Sequence, residues 1–109
     1  LYQQCWEIYE RTSDTENQAA TLYNMAYIIS KQGNTQKALS LLKQSLEIIE
    51  YSGNARWKAT VLQEMARIIA LKGDMQQALD LYQQSKEIYE QIGDIAGKAS
   101  TLKRIAGII

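Results

Sequence analysis

Three pairs of glutamates have the spacing that paired-carboxylate chemistry needs. The two glutamates of each pair are three positions apart, and the pairs recur every forty residues, as Glu7 with Glu10, Glu47 with Glu50, and Glu87 with Glu90. Two carboxylates on one helical turn can act as a general acid and a general base. Their recurrence in every copy, in a chain without histidine, favours a solvated helix face. We predict that the chain is not an enzyme.

Composition also limits metal and redox chemistry. The chain has 109 residues, no histidine and a single cysteine, Cys5. Histidine and clustered cysteines are common zinc ligands, so we expect no metal site, no cofactor and no internal disulfide. A lone cysteine is compatible with a reducing compartment, and we predict a cytoplasmic location.

Charge and hydropathy exclude two classes of partner. Lys+Arg and Asp+Glu are both 12, so the net charge is zero, which disfavours a nucleic-acid-binding protein. No apolar run reaches the length of about 18 residues that a membrane-spanning helix requires. We therefore predict neither a nucleic-acid nor a membrane partner.

A long internal repeat organises the chain. The stretch 33–50 returns forty residues later at 73–90, and its final ten residues have a counterpart at 1–10. Residues 33–69 match 73–109 at 17 of 37 positions, and residues 1–32 match 41–72 at 11 of 32. A fixed period of this length is typical of a stacked array of supersecondary units.

Regular turns divide the repeat into helices. Gly-Asn or Gly-Asp pairs occur every twenty residues from Gly33 to Asp94, where glycine can end one helix and Asn or Asp can begin the next. Long helices joined by short turns pack antiparallel. The pattern predicts an all-α solenoid of antiparallel helix pairs within a single repeat segment, 1–109. The segment has full repeats at 15–51 and 55–91 and partial repeats at 1–12 and 95–109. The predicted helices are six, near 1–12, 15–32, 35–51, 55–72, 75–91 and 95–109.

The spacing of the packing residues resembles a known family. One copy consists of Leu62, Met65, Ala66, Ile69, Gly73, Ala78, Tyr82 and Ser85. This order resembles the tetratricopeptide repeat, in the forty-residue, long-helix variety of kinesin light chains and many bacterial proteins. The resemblance implies a right-handed superhelix, whose first helices line a concave groove that binds a peptide or a partner helix. It implies a non-catalytic scaffold for protein–protein interaction.

The family's groove positions, transferred to the matching positions of each repeat in this chain, give a candidate binding site. Its residues lie off the packing stripe and are Tyr23, Asn24, Tyr27, Lys31, Gln63, Glu64, Arg67, Lys103 and Arg104. The predicted helix 55–72 has four basic residues and one acidic residue, a net charge of +3, and the helix 95–109 has three basic residues, also +3. By contrast, the stretch 75–90 has one basic residue and three acidic ones, a net charge of −2. We therefore hypothesise an acidic ligand, with a solvated face of ordinary charge as the alternative.

A structural role is the second hypothesis. The chain opens and closes inside repeat units, so we expect the Leu1 and Tyr2 side of its first helix and the Ile105 and Ile109 side of its last to be exposed. Exposed apolar faces drive association. The alternative function is thus a segment that self-associates end to end through its uncapped terminal helices and has no ligand of its own.

Overall fold

The structure, a computed structural model, describes residues 14–108, apart from the side chains of 14–16 and 52. Within this range it contains five helices and no strand: α1 Asp14–Lys31, α2 Thr35–Ser52, α3 Ala55–Leu71, α4 Met75–Ile92 and α5 Ile95–Ile108. The predicted all-α helical repeat is confirmed, with five helices instead of six. The remaining predicted helix, at 1–12, lies outside the described residues.

The Gly-Asx turns act as the sequence predicts. Gly53 ends α2 and Gly93 ends α4 in the left-handed conformation, with φ of 77° and 75°. Other residues adopt this conformation at a steric cost. The side chains of Asn34 and Asp74 each accept a hydrogen bond of 3.1 Å from a backbone N–H in the first turn of the following helix. These caps fix both ends of the helices.

The chain divides into two compact units, Leu1–Asn54 and Ala55–Ile109. In the first unit α1 packs against α2. The contact uses small and aliphatic residues that are buried on both helices, namely Ala19, Ala26, Ala38, Leu42 and Ile49. The hydroxyl of Ser45 on α2 donates a hydrogen bond of 3.0 Å to the carbonyl oxygen of Ala19 on α1. A small polar residue at this buried position thus lets the two backbones approach closely.

In the second unit α4 packs against both α3 and α5. The hydroxyl of Ser85 on α4 donates a hydrogen bond of 2.9 Å to the carbonyl oxygen of Ala59 on α3, which repeats the Ser45 contact forty residues later. One turn further along α4, the ring of Tyr89 lies against Gly97 of α5. One helix, α4, therefore positions both α3 and α5.

Candidate peptide-binding surface

Four of the predicted site residues lie on α1, in the first unit. Asn24, Tyr27 and Lys31 are exposed, and Tyr23 is half-buried. The ammonium nitrogen of Lys31 lies 5.3 Å from the centroid of the Tyr27 ring, one turn earlier on the same helix. At this distance the cation is attracted to the face of the ring. The two side chains together present a flat aromatic surface beside a positive charge.

Three predicted residues lie on α3, and they differ in how deeply they are buried. Gln63 and Arg67 are half-buried, whereas Glu64 is buried. Arg67 donates hydrogen bonds from its guanidinium group to the carboxylate of Glu64, with a distance of 2.8 Å from Nε. The sequence placed Glu64 on the ligand-contacting face, but its carboxylate lies below the surface and binds Arg67. A buried carboxylate needs such a partner, so Glu64 orients Arg67.

Lys103 and Arg104 complete the predicted set on α5. Both side chains are exposed, and in the described part of the chain neither takes part in an ion pair. Their helix belongs to the same unit as α3, and a side-chain hydrogen bond joins the two helices. The hydroxyl of Thr101 on α5 donates a hydrogen bond of 3.3 Å to the side-chain oxygen of Gln63 on α3.

Two contacts show that α3 and α5 run parallel in register. Arg56 near the start of α3 forms an ion pair of 3.2 Å with Asp94, directly before α5. Further along, Gln63 meets Thr101, and both pairs have the same separation of 38 residues. Arg67 follows Gln63 by one turn and Arg104 follows Thr101 by about one turn. Arg67 and Arg104 thus lie at similar positions along the axes of two neighbouring helices.

Ion pairs reduce the positive charge that the sequence assigned to these helices. On α3, Arg56 is paired with Asp94 and Arg67 with Glu64. On α5, the ammonium group of Lys98 lies 3.2 Å from the carboxylate of Glu90 on α4. The cations that face solvent without such compensation on α5 are Lys103 and Arg104. The electrostatic argument therefore rests on this pair and not on the summed helix charges.

Sequence reasoning missed Thr101 as a residue that positions the surface. Its side chain is fully buried, and its single hydroxyl hydrogen is shared between the carbonyl oxygen of Gly97, at 2.9 Å, and the side-chain oxygen of Gln63, at 3.3 Å. The repeat places Thr21 and Val61 at the equivalent positions, and of these Thr21 is exposed and Val61 is buried. The periodicity therefore gave no clear signal that position 101 holds a buried hydroxyl, which requires a hydrogen-bond partner.

Two kinds of feature were not found among the described residues: a cluster of metal ligands and a membrane-spanning helix. Between residues 14 and 108, no group of three or more Asp, Glu or Cys side chains is arranged to hold a metal ion. None of the helices in this range is both long enough and apolar enough to cross a bilayer.

Comparison with protein families assigns the repeat. The tetratricopeptide repeat model matches residues 1–50 and 17–91, and the two matches together span most of the chain. The chain belongs to the tetratricopeptide repeat family. Tetratricopeptide repeats generally mediate protein–protein interaction or scaffolding and are typically non-enzymatic. The finer likeness to kinesin light chains stays a prediction, and a search of curated proteins gives no significant match.

Proposed function

We propose that this chain is a non-catalytic tetratricopeptide repeat module that binds an acidic segment of a partner protein, as a peptide or a helix. In its second unit the ligand lies along the face that α3 and α5 share. The observation that carries this proposal is the exposed, uncompensated pair Lys103 and Arg104, on a helix held in register with α3 by the contact between Thr101 and Gln63.

The buried pair of Glu64 and Arg67 supports the same face. A free carboxylate at position 64 would repel an acidic ligand, but this one is buried and accepts hydrogen bonds from Arg67. The guanidinium group is only partly exposed, with 25% of its side chain accessible. Arginine presents several N–H donors in a fixed plane, so Glu64 fixes the orientation of the guanidinium group that a ligand carboxylate would meet.

The first unit supports the proposal through aromatic contact. Tyr27 is 44% exposed and lies beneath the Lys31 ammonium group, which gives an apolar surface with a cation at its edge. Tyrosine supplies a large contact area with little loss of side-chain entropy and is enriched at protein interfaces. We assign to α1 a contact surface of its own, for an aliphatic or aromatic side chain of a partner protein.

A peptide-display screen against the immobilised 109-residue chain tests this function. We expect enrichment of peptides with clustered Asp and Glu, and loss of that enrichment with the double variant Lys103→Glu/Arg104→Glu. The control is Lys43→Glu, which changes one exposed lysine on α2 of the first unit. Enrichment of basic or neutral peptides would refute the acidic preference, and an unenriched library would refute peptide binding.

A further inference from the structure

Two large apolar side chains are exposed on either side of the turn between α3 and α4. Leu71 is the last residue of α3 and is 66% accessible, and Met75 is the first residue of α4 and is 47% accessible. The turn between them is tight, and the backbone N–H of Asp74 donates a hydrogen bond of 3.2 Å to the carbonyl oxygen of Ile69. Packing within the unit does not account for the two apolar side chains, because both remain largely in contact with water.

The repeat does not require apolar residues at these two positions. Forty residues earlier, the first unit has Lys31 and Thr35 there, and Lys31 is exposed. Position 71 therefore lies on a face that is open to solvent in both units. Leu71 and Met75 are both apolar where the first unit is polar, and they flank a single turn. Two such differences at one place indicate a surface that contacts an apolar group.

This apolar surface begins one helical turn after the cations of the same unit. Leu71 follows Arg67 by four residues, so both lie on the same face of α3. The contact between Gln63 and Thr101 sets the register of α5 against α3. In that register Arg104 lies level with the residue before Arg67. Leu71 is therefore about 6 Å further along the helix axis than the cationic cluster.

We infer that Leu71 and Met75 determine the specificity of the proposed acidic-ligand site, by contacting a large aliphatic side chain of the ligand. The inference rests on the proposed function, because bound carboxylates position the ligand. In an extended peptide, side chains two residues apart point the same way and are about 6–7 Å apart, which matches the step from Arg67 to Leu71. A ligand helix would have to order more than a full turn to make both contacts, and short helices are unstable alone. The ligand is thus an extended acidic segment with Leu, Ile or Met two residues from an Asp or Glu.

The two halves of such a site contribute in different ways. Lys103 and Arg104 are exposed, so salt screens their attraction to a carboxylate. Burial of an aliphatic side chain against Leu71 and Met75 removes apolar surface from water and does not depend on charge. Methionine is unbranched and flexible, so Met75 can adapt to aliphatic side chains of different shapes. The cations therefore select acidic segments, and the apolar pair selects among them.

The test compares fluorescein-labelled peptides by fluorescence anisotropy with the 109-residue chain. Each peptide has two glutamates, one alanine and then either leucine or serine, and each is also tested in reverse order. We expect the leucine peptide to bind about fivefold more tightly in one of the two orders. Leu71→Ser/Met75→Thr should abolish this gain and change the affinity for the serine peptide less than about twofold. Ile95→Ser is the matched control, because Ile95 is 83% accessible beside Asp94, which pairs with Arg56 at the opposite end of α3.

Failure of this inference is distinguishable from failure of the proposed function. Equal affinities for the two peptides, or a gain that survives Leu71→Ser/Met75→Thr, would overturn the inference alone, provided that Lys103→Glu/Arg104→Glu weakens the binding of both peptides. Absence of saturable binding, or binding that is indifferent to Lys103→Glu/Arg104→Glu, would overturn both. Tighter binding with three alanines between glutamate and leucine would refute the extended conformation, since that spacing fits a helix. Circular dichroism verifies that each variant keeps its helix content.

Discussion

Arg67 donates hydrogen bonds from two guanidinium nitrogens to one carboxylate oxygen of Glu64, three residues earlier on α3. The carboxylate is 8% accessible and the arginine 25%, so the acid is the more deeply buried partner. Removing the arginine leaves a buried charge without compensation, whereas removing the acid leaves a cation that can reach water.

Replacement of Arg67 by leucine is therefore expected to lower the free energy of unfolding by about 2–3 kcal/mol. The double variant Glu64→Leu/Arg67→Leu should recover most of that loss, because it removes the buried charge together with its partner. Urea denaturation followed by circular dichroism measures both. Lys103→Leu, at an exposed cation, is the control and should change stability little. A double variant as unstable as Arg67→Leu would contradict the ion-pair argument.

Gly97 is expected to resist substitution because of Tyr89. A Cβ atom at position 97 would overlap the tyrosine ring, so Gly97→Ala should destabilise the chain by about 1–2 kcal/mol despite the better helix propensity of alanine. Gly107→Ala is the matched control on the same helix, since a Cβ there meets nothing within 4 Å. That variant should be neutral or stabilising. Thermal unfolding compares the melting temperatures of the two variants. Equal melting temperatures would refute the close contact between position 97 and the Tyr89 ring.

The serine contacts between paired helices are expected to be worth similar amounts in both units. Ser45→Ala and Ser85→Ala each remove one buried hydrogen bond to a carbonyl oxygen and should cost about 1 kcal/mol. Ser85→Leu should cost more, since a larger side chain must push the helices apart. Chemical denaturation compares the three variants. A tolerated Ser85→Leu would mean that the small size of the residue is not what the packing requires.

Asp94 has two roles that substitution can separate. Its carboxylate accepts a hydrogen bond of 2.9 Å from the backbone N–H of Gly97 at the start of α5, and it also pairs with Arg56. Asp94→Asn retains the cap and should cost under about 0.5 kcal/mol, because Arg56 is 68% exposed. Asp94→Ala also loses the cap and should cost about 1 kcal/mol more. A larger loss for Asp94→Asn that disappears at high salt would reverse this ranking.

Sequence periodicity predicted the bounds of the described helices closely. The four complete helices expected between residues 15 and 91, and the last helix, agree with the structure to within one residue at each end. This accuracy has a physical origin, since the Gly-Asx turns fix helix ends by backbone conformation and capping, both of which are local. The forty-residue period then assigns equivalent packing to equivalent residues, as Ser45 and Ser85 show.

The binding surface was less predictable because exposure and ion pairing depend on neighbouring helices. Register alone placed Glu64 on the ligand face, although its carboxylate is buried against Arg67. Summed helix charge likewise hid the pairing of Arg56 and Lys98 with acids outside their own helices. Which face of α5 is covered was missed for the same reason: Ile105 is half-buried while Leu102 is exposed.

The proposed function depends most directly on Lys103 and Arg104. Isothermal titration calorimetry of the strongest acidic peptide from the display screen compares the unchanged chain with Lys103→Glu/Arg104→Glu and with Lys43→Glu. We predict that the double variant weakens binding at least tenfold, or about 1.4 kcal/mol, and that the control changes it less than about twofold. Equal affinities for all three proteins, or equal losses in both variants, would contradict the assignment of the ligand to the face shared by α3 and α5.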